Sequence, residues 1–195
     1  MISMEYRLTN ITAHPFENPH VSRLIDRVIS YWNYHNQDST IRIVDPFSNN
    51  KTTRRQGSTH TTNDLNPKFN ADYCMEFNDF GEHMLELNKE FDLILFDPPY
   101  SLRQLKEQYD GIGKDLELWQ THNMWKRGKD ALAKCVSIGG YVISFGWNTK
   151  GFGKKRGFEK TYILVLEQAA REDRYNLLIT VEKKVQTNLE GFLQE

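Results

Sequence analysis

The sequence predicts an α/β fold with a doubly wound, mostly parallel sheet and an antiparallel hairpin at one edge. Three observations predict it. Apolar, β-branched runs alternate with helical periodicity as far as Phe145. The run Phe91 to Phe96 is apolar almost throughout, as in a strand covered on both faces. Two further strand patterns, Tyr162 to Leu166 and Leu177 to Val181, then follow nearly in succession.

In chain order, Asn18 is placed to cap a helix, and Pro19 suits its first turn, where a missing N–H is harmless. Val21, Leu24, Ile25, Val28, Ile29 and Trp32 give that helix one apolar face. Ile41 to Val44 reads as a strand ended by Asp45-Pro46. The polar stretch 48–58 reads as a loop, and His60 to Asn63 as a short second strand before Asp64. Tyr73 to Phe77 is a weaker strand pattern, and Phe80 to Leu87 a short helix. After Phe91 to Phe96, residues 101–123 read as irregular with a turn or two of helix. A helix over Met124 to Ser137, ended by Gly139-Gly140, precedes the strand Tyr141 to Phe145. Gly151 to Gly157 reads as a loop.

Composition narrows the function. The chain has 195 residues, the size of one domain, and no separate target-recognition domain fits beside it in residues 1–195. Lys and Arg total 25 and Asp and Glu 26, for a formal charge of -1, so binding to nucleic acid by bulk positive charge is excluded while a local basic groove is not. Cys74 and Cys135 form no CxxC and no His/Cys cluster; both sit in apolar patterns and read as core, so neither a disulfide framework nor a thiolate metal site is expected. No signal-peptide pattern and no apolar run of membrane-spanning length is present, which points to a soluble cytoplasmic protein.

The chemistry concentrates at Asp97-Pro98-Pro99-Tyr100, directly after an apolar strand. Ligands of open α/β sheets bind beyond the carboxyl ends of strands. Two prolines stiffen that turn and remove two donors, so carbonyl oxygens remain as acceptors. A carboxylate, fixed carbonyls and an aromatic ring at one point suit a planar amino group, which donates N–H bonds and presents a face for stacking.

Asp97-Pro98-Pro99-Tyr100 resembles the catalytic motif of the S-adenosylmethionine-dependent amino methyltransferases, most often the adenine-N6 DNA enzymes, and similar strings occur in small phage and prophage proteins. The resemblance spans most of the chain and implies a class I, Rossmann-like methyltransferase fold in a bacterial or phage-infected cell. His14-Pro15-Phe16-Glu17-Asn18-Pro19 is similar to the segment before the helix lining the cofactor pocket, although a basic residue often stands where Asn18 does. Ile43-Val44-Asp45-Pro46-Phe47 resembles the first cofactor motif, Asp64 the acidic residue for the ribose hydroxyls, and Asn78-Asp79-Phe80 the adenine-ring motif. The resemblance thus implies S-adenosylmethionine as cofactor, held by Pro15, Phe16, Asp45, Pro46, Phe47, Asn49, Asp64, Asn78, Asp79, Phe80 and Asp97. One departure stands out. The family has a Gly-rich turn after the first strand, and this chain has Phe47-Ser48-Asn49-Asn50. Asparagine tolerates positive φ better than most residues, so Asn49 and Asn50 are the expected substitutes.

On this resemblance Asp97 and the Pro98 carbonyl each accept an N–H bond from a flipped adenine of DNA, Pro99 stiffens the turn and Tyr100 stacks on the base. Ser101, Trp147, Asn148, Lys154, Lys155 and Arg156 complete the expected substrate contacts, and no metal is required. Trp119 and Trp125 fit packing roles better. Three basic clusters (Lys51, Arg54 and Arg55; Lys126, Arg127 and Lys129; Lys150 and Lys154 to Arg156) are expected near one sheet edge, where together they would line a phosphate track. A homodimer or a separate specificity subunit is compatible with so short a chain. Alternative readings are methylation of cytosine N4 or of adenine in RNA, and an inactive nucleic-acid-binding module on the same fold. Cytosine-C5 chemistry is disfavoured, because it needs a cysteine nucleophile, usually after a proline, and Tyr73 and Lys134 precede the two cysteines here.

Overall fold

The computed structural model describes residues 2–10, 14–37, 39–49, 55–116, 123–169 and 175–186. One seven-stranded sheet organises them: β1 (Ser3–Thr9), β2 (Ile41–Asp45), β3 (Ser58–Thr62), β4 (Phe91–Phe96), β5 (Val136–Gly146), β6 (Phe158–Gln168) and β7 (Leu177–Lys184). Their spatial order is β1-β6-β7-β5-β4-β2-β3. Every neighbouring pair is parallel except those made by β7, which runs antiparallel to both β5 and β6.

Helices α1 (Pro19–His35), α2 (Phe77–Glu86), α3 (Leu102–Gly111) and α4 (Lys126–Cys135) complete the fold. The α1 helix begins as its sequence dictates, with Asn18 Oδ1 accepting the His20 N–H at 2.9 Å. Its buried stripe Val21, Leu24, Ile25, Val28, Ile29 and Trp32 packs with Ile43, Leu93, Ile143 and Leu164 on one sheet face. Phe80 and Met84 of α2 and Leu132 of α4 pack with Val44, Ile94, Phe96 and Val142 on the other. Strand β4 lies between the two layers, and all six of its residues are buried.

The mostly parallel, doubly wound sheet is as predicted, but the hairpin is not its edge. The β6–β7 pair is flanked by β1, a strand the sequence pattern did not suggest. Strand β1 buries no apolar face: Met4, Tyr6 and Leu8 are exposed, and its place is set by the backbone ladder to β6. Tyr73 to Phe77 is not a strand. Tyr73 makes a single bridge to Asn63, and Phe77 already opens α2. Residues 101–123 hold more helix than expected: Ser101 Oγ caps α3, which buries only Leu105 and Tyr109, one turn apart. Helix α4 ends at Cys135 and passes straight into β5, so Gly139 and Gly140 lie inside a strand, beside a register shift against β4. Gly139 takes φ +85°, and a Cβ on Gly140 would meet Asp92 O at 2.9 Å. Cys135 is buried, whereas Cys74 is exposed and is not a core residue. No helix among the described residues is long and apolar enough to cross a membrane.

Candidate active site

The carboxyl ends of β2 and β4 open into a cavity of about 760 Å³. One wall comes from the turn after β2. Buried Asp45 accepts the Phe47 N–H at 3.1 Å, and the chain then reaches Asn49 with φ +42°. The Asn49 N–H donates to Asp64 Oδ2 at 2.9 Å, while Asp64 Oδ1 accepts the Asn66 N–H at 2.8 Å. Burial nevertheless pushes the Asp64 carboxyl above its ordinary range, against these two backbone bonds. An asparagine thus adopts the left-handed backbone for which a glycine is usual, as the sequence predicts; Asn50 lies outside the described residues.

The opposite wall is the turn after β4. Asp97, Pro98, Pro99 and Tyr100 all line the cavity. The Tyr100 hydroxyl donates to Asp97 Oδ1, and the Tyr100 N–H donates to Gln104 Oε1 at 2.8 Å. Burial raises the Asp97 carboxyl to about 7; the Tyr100 bond opposes the shift, and the charge of Asp45 across the strand ends adds to it. Burial and the neighbouring carboxylate hold the Tyr100 phenol well above its ordinary value, so it remains a donor. Asp45 and Asp97 at the ends of adjacent strands, with Asp64 held by the Asn49 N–H, bring three acidic side chains to this end of the sheet.

Between the walls lie apolar surfaces. Phe47 stacks on Phe77 with centroids 5.0 Å apart, and Trp125 meets both rings edge-on. Trp125 therefore packs as expected and also lines the cavity. Beyond Tyr100, Trp147 lies at 6.1 Å, and Tyr175 meets Trp147 in a tilted contact at 4.5 Å.

Pro15, Pro46, Phe47, Asn49, Asp64 and Trp147 line the cavity with the Asp97 turn. The other predicted residues do not. Phe16 packs against Phe145 in the core, at 5.1 Å, and buried Asp45 shapes the wall from behind. The expected adenine motif is displaced: Asn78 faces α4, donating to Met124 O and accepting the Gly128 N–H, both at 2.8 Å. Asp79 is exposed beside Arg127, and Phe80 is fully buried. The three residues preceding them, Met75, Glu76 and Phe77, line the cavity instead. Ser101 caps α3, and Asn148 is exposed, its Oδ1 accepting the Lys150 N–H.

Among the described residues, the basic clusters are not brought together beside the cavity. Lys154, Lys155 and Arg156 form a 3₁₀ turn before β6, and the Arg156 carbonyl accepts from Lys184 Nζ at 2.7 Å. Lys184 and the cavity-lining Leu177 are the two ends of β7, roughly 23 Å apart along the strand. Arg156 is also paired with Asp130 at 2.8 Å, Arg127 with Glu82 through Nε at 2.9 Å, and Arg55 with Asp26. Lys129 is turned inward: its Nζ donates to Gly151 O at 2.9 Å and lies 4.4 Å from the Phe96 ring centroid, and burial lowers it to about 8. Lys51, Arg54 and Trp119 lie outside the described residues.

Several cavity residues escaped sequence reading. Asn63 ties three segments together, donating to Pro46 O at 3.2 Å and Met75 O at 3.0 Å and accepting the Met75 N–H at 3.0 Å. Gln104, Gln108 and Tyr109 enter from α3, and Tyr109 donates to Glu76 Oε2 at 2.6 Å. The spacing of Leu105 and Tyr109, after Ser101 at the N-cap position, is the local signal of this helix.

No protein-family model matches the chain, and no curated protein matches it. Solved structures do. An S-adenosylmethionine-dependent methyltransferase from Agrobacterium tumefaciens aligns with a TM-score of 0.51 at 12% identity, over 80% of this chain and 61% of that one. TrmN from Thermus thermophilus aligns at 0.49 and 14% identity over 94% and 72%, and the N-methyltransferase NodS from Bradyrhizobium japonicum at 0.49 and 8% over 88% and 99%. The chain has the class I, Rossmann-like fold of the S-adenosylmethionine-dependent methyltransferases.

Proposed function

We propose that the protein transfers a methyl group from S-adenosylmethionine to the exocyclic N6 amine of adenine in DNA. The observation that carries this reading is the placement of Asp97-Pro98-Pro99-Tyr100 in the cavity wall at the carboxyl end of β4. The choice of adenine in DNA rests on the resemblance of that four-residue turn.

The residues present fit such a donor. Asp64 holds one backbone N–H on each oxygen and keeps acceptor capacity for a diol. Met75 and Phe77 offer apolar surface for a purine, and the cavity volume lies within the usual range for cofactor-sized ligands. When bound, the donor supplies an electrophilic methyl group on a sulfonium. The protein contributes alignment. The Asp97 carboxylate and the Pro98 carbonyl accept the two amine N–H bonds, which draws the nitrogen lone pair out of conjugation. The methylated nitrogen sheds one proton, and a carboxylate whose pKa stands at about 7 is matched to receive it. Tyr100 stacks on the extruded base. Gln104 and Gln108, one turn apart on α3, carry amides suited to reading base edges, which favours a short recognition site.

Nucleoside mass spectrometry after incubation with isotopically labelled donor tests the proposal. Label in N6-methyladenine of DNA is expected; label only in N4-methylcytosine or only in RNA overturns the substrate. Calorimetry with S-adenosylhomocysteine tests the donor, and absence of binding favours a non-enzymatic module. Asp97→Ala is expected to abolish turnover while retaining donor affinity; loss of both overturns the role given to Asp97.

A further inference from the structure

Strand β1 is the edge of the sheet, and among the described residues nothing pairs with its outer side. Natural edge strands are usually short, or guarded by proline, charged side chains or a bulge; the charges on this one, Glu5 and Arg7, are opposite in sign and pair with each other. This one has seven residues, Ser-Met-Glu-Tyr-Arg-Leu-Thr, with an unbroken register against β6. The Thr9 carbonyl accepts the Ala169 N–H, so backbone groups of the odd-numbered residues face β6. Those of Met4, Tyr6 and Leu8 therefore face outward. The same three residues carry the exposed apolar side chains, at 69%, 53% and 63% exposure. The alternate face carries the charges Glu5 and Arg7, paired at 2.7 Å within the strand; Glu5 also accepts from the Tyr162 hydroxyl of β6 and lies 3.8 Å from Arg27 of α1.

We infer that β1 pairs antiparallel with β1 of a second copy of this chain, about a twofold axis at Tyr6. The charge order selects this register. Centred on Tyr6, Met4 lies opposite Leu8 of the second copy, Tyr6 opposite its own counterpart, and Glu5 opposite Arg7 in both directions. The outward-facing residues form the hydrogen-bonded pairs, exchanging about six backbone bonds across the axis, and Glu5–Arg7 falls at the closer, non-hydrogen-bonded positions. A shift of two residues in either direction breaks the charge pairing. The product is a continuous sheet of two seven-stranded halves, with the two cavities opening at opposite ends of its strands. Each copy keeps a complete cavity, so the inference is independent of the reaction proposed above.

The test is the solution mass of the purified chain by sedimentation and light scattering at tens of micromolar, where twice 23.0 kDa is expected. Tyr6→Pro removes an N–H that faces outward and leaves the β6 ladder intact, and it is expected to give a monomer. Glu5→Arg alone sets arginine against Arg7 and is expected to weaken the dimer at least tenfold. Arg7→Glu alone does the same with two acids, and the double exchange is expected to restore the dimer. A monomeric wild type, a larger assembly, a dimer unaffected by Tyr6→Pro, or a double exchange that fails to rescue while melting like the wild type overturns the inference. If Tyr6→Pro does not fold, the charge series decides alone.

Discussion

The hydroxyl of Tyr100 hydrogen-bonds to the carboxylate of Asp97, three residues earlier in the same turn. The bond opposes the burial that lifts Asp97 to about 7, so the tyrosine sets the ionisation of the acid beside it. The ionised carboxylate accepts both this bond and an amine N–H more strongly than the neutral acid, which spends one oxygen on its own proton. Turnover is expected to rise as pH increases through about 7. Tyr100→Phe deletes a bond that lowers the pKa and should move the rising limb toward higher pH, beyond any loss from weaker stacking. A pH–rate profile of both proteins checks this.

The same shift has a stability consequence. The folded-state pKa of Asp97 lies above its ordinary value of 3.8, so the stability linked to its neutral form is full below about pH 4 and is lost as pH rises through about 7. Asp97→Asn keeps the shape and an acceptor without the charge. At pH 8 the variant should be more stable by about 4 kcal/mol. That corresponds to a rise in Tm of roughly 8–16 °C. The difference should vanish near pH 4 in thermal melts.

Asn49 holds a left-handed backbone while its N–H bonds to Asp64. Asn49→Gly should leave affinity for S-adenosylhomocysteine within about twofold, because glycine adopts that φ freely. Asn49→Val should weaken binding by roughly tenfold, because a β-branched residue costs about 1–2 kcal/mol there. Calorimetry distinguishes the two.

Asn78 clamps α2 to the start of α4 through two hydrogen bonds and does not line the cavity. Asn78→Ala should therefore lower stability by about 2–3 kcal/mol, leaving a part-buried amide N–H and a carbonyl unmet. Donor affinity in the folded variant should be unchanged. A melting curve and a titration on one sample check both halves.

Lys154 and Lys155 lie toward the far end of the sheet from the cavity. Replacing both with Ala should leave nucleic-acid affinity and its salt dependence unchanged, whereas two lost phosphate contacts would reduce the slope of log K against log salt by about 2. Fluorescence anisotropy across a salt series reads this directly.

What the sequence determined by itself was local. The stripe from Val21 to Trp32, the Asn18 cap, the apolar run Phe91 to Phe96 and the proline-stiffened turn after it are written in adjacent residues, so periodicity and turn chemistry exposed them. Asn49 was legible for the same reason, since positive φ is a property of a residue and its turn. Only the tertiary structure decided the rest. Strand β1 has no buried apolar face and is held by ladder bonds to a strand more than 150 residues later. Asn78 turned toward α4 because its partners are 46 and 50 residues away. The basic loop 154–156 went to the wrong end because a crossover from β5 to β6 must run the length of the sheet to keep those strands parallel. Backbone pairing and long-range hydrogen bonds leave no periodic trace in the residues that make them, whereas burial of an apolar face does.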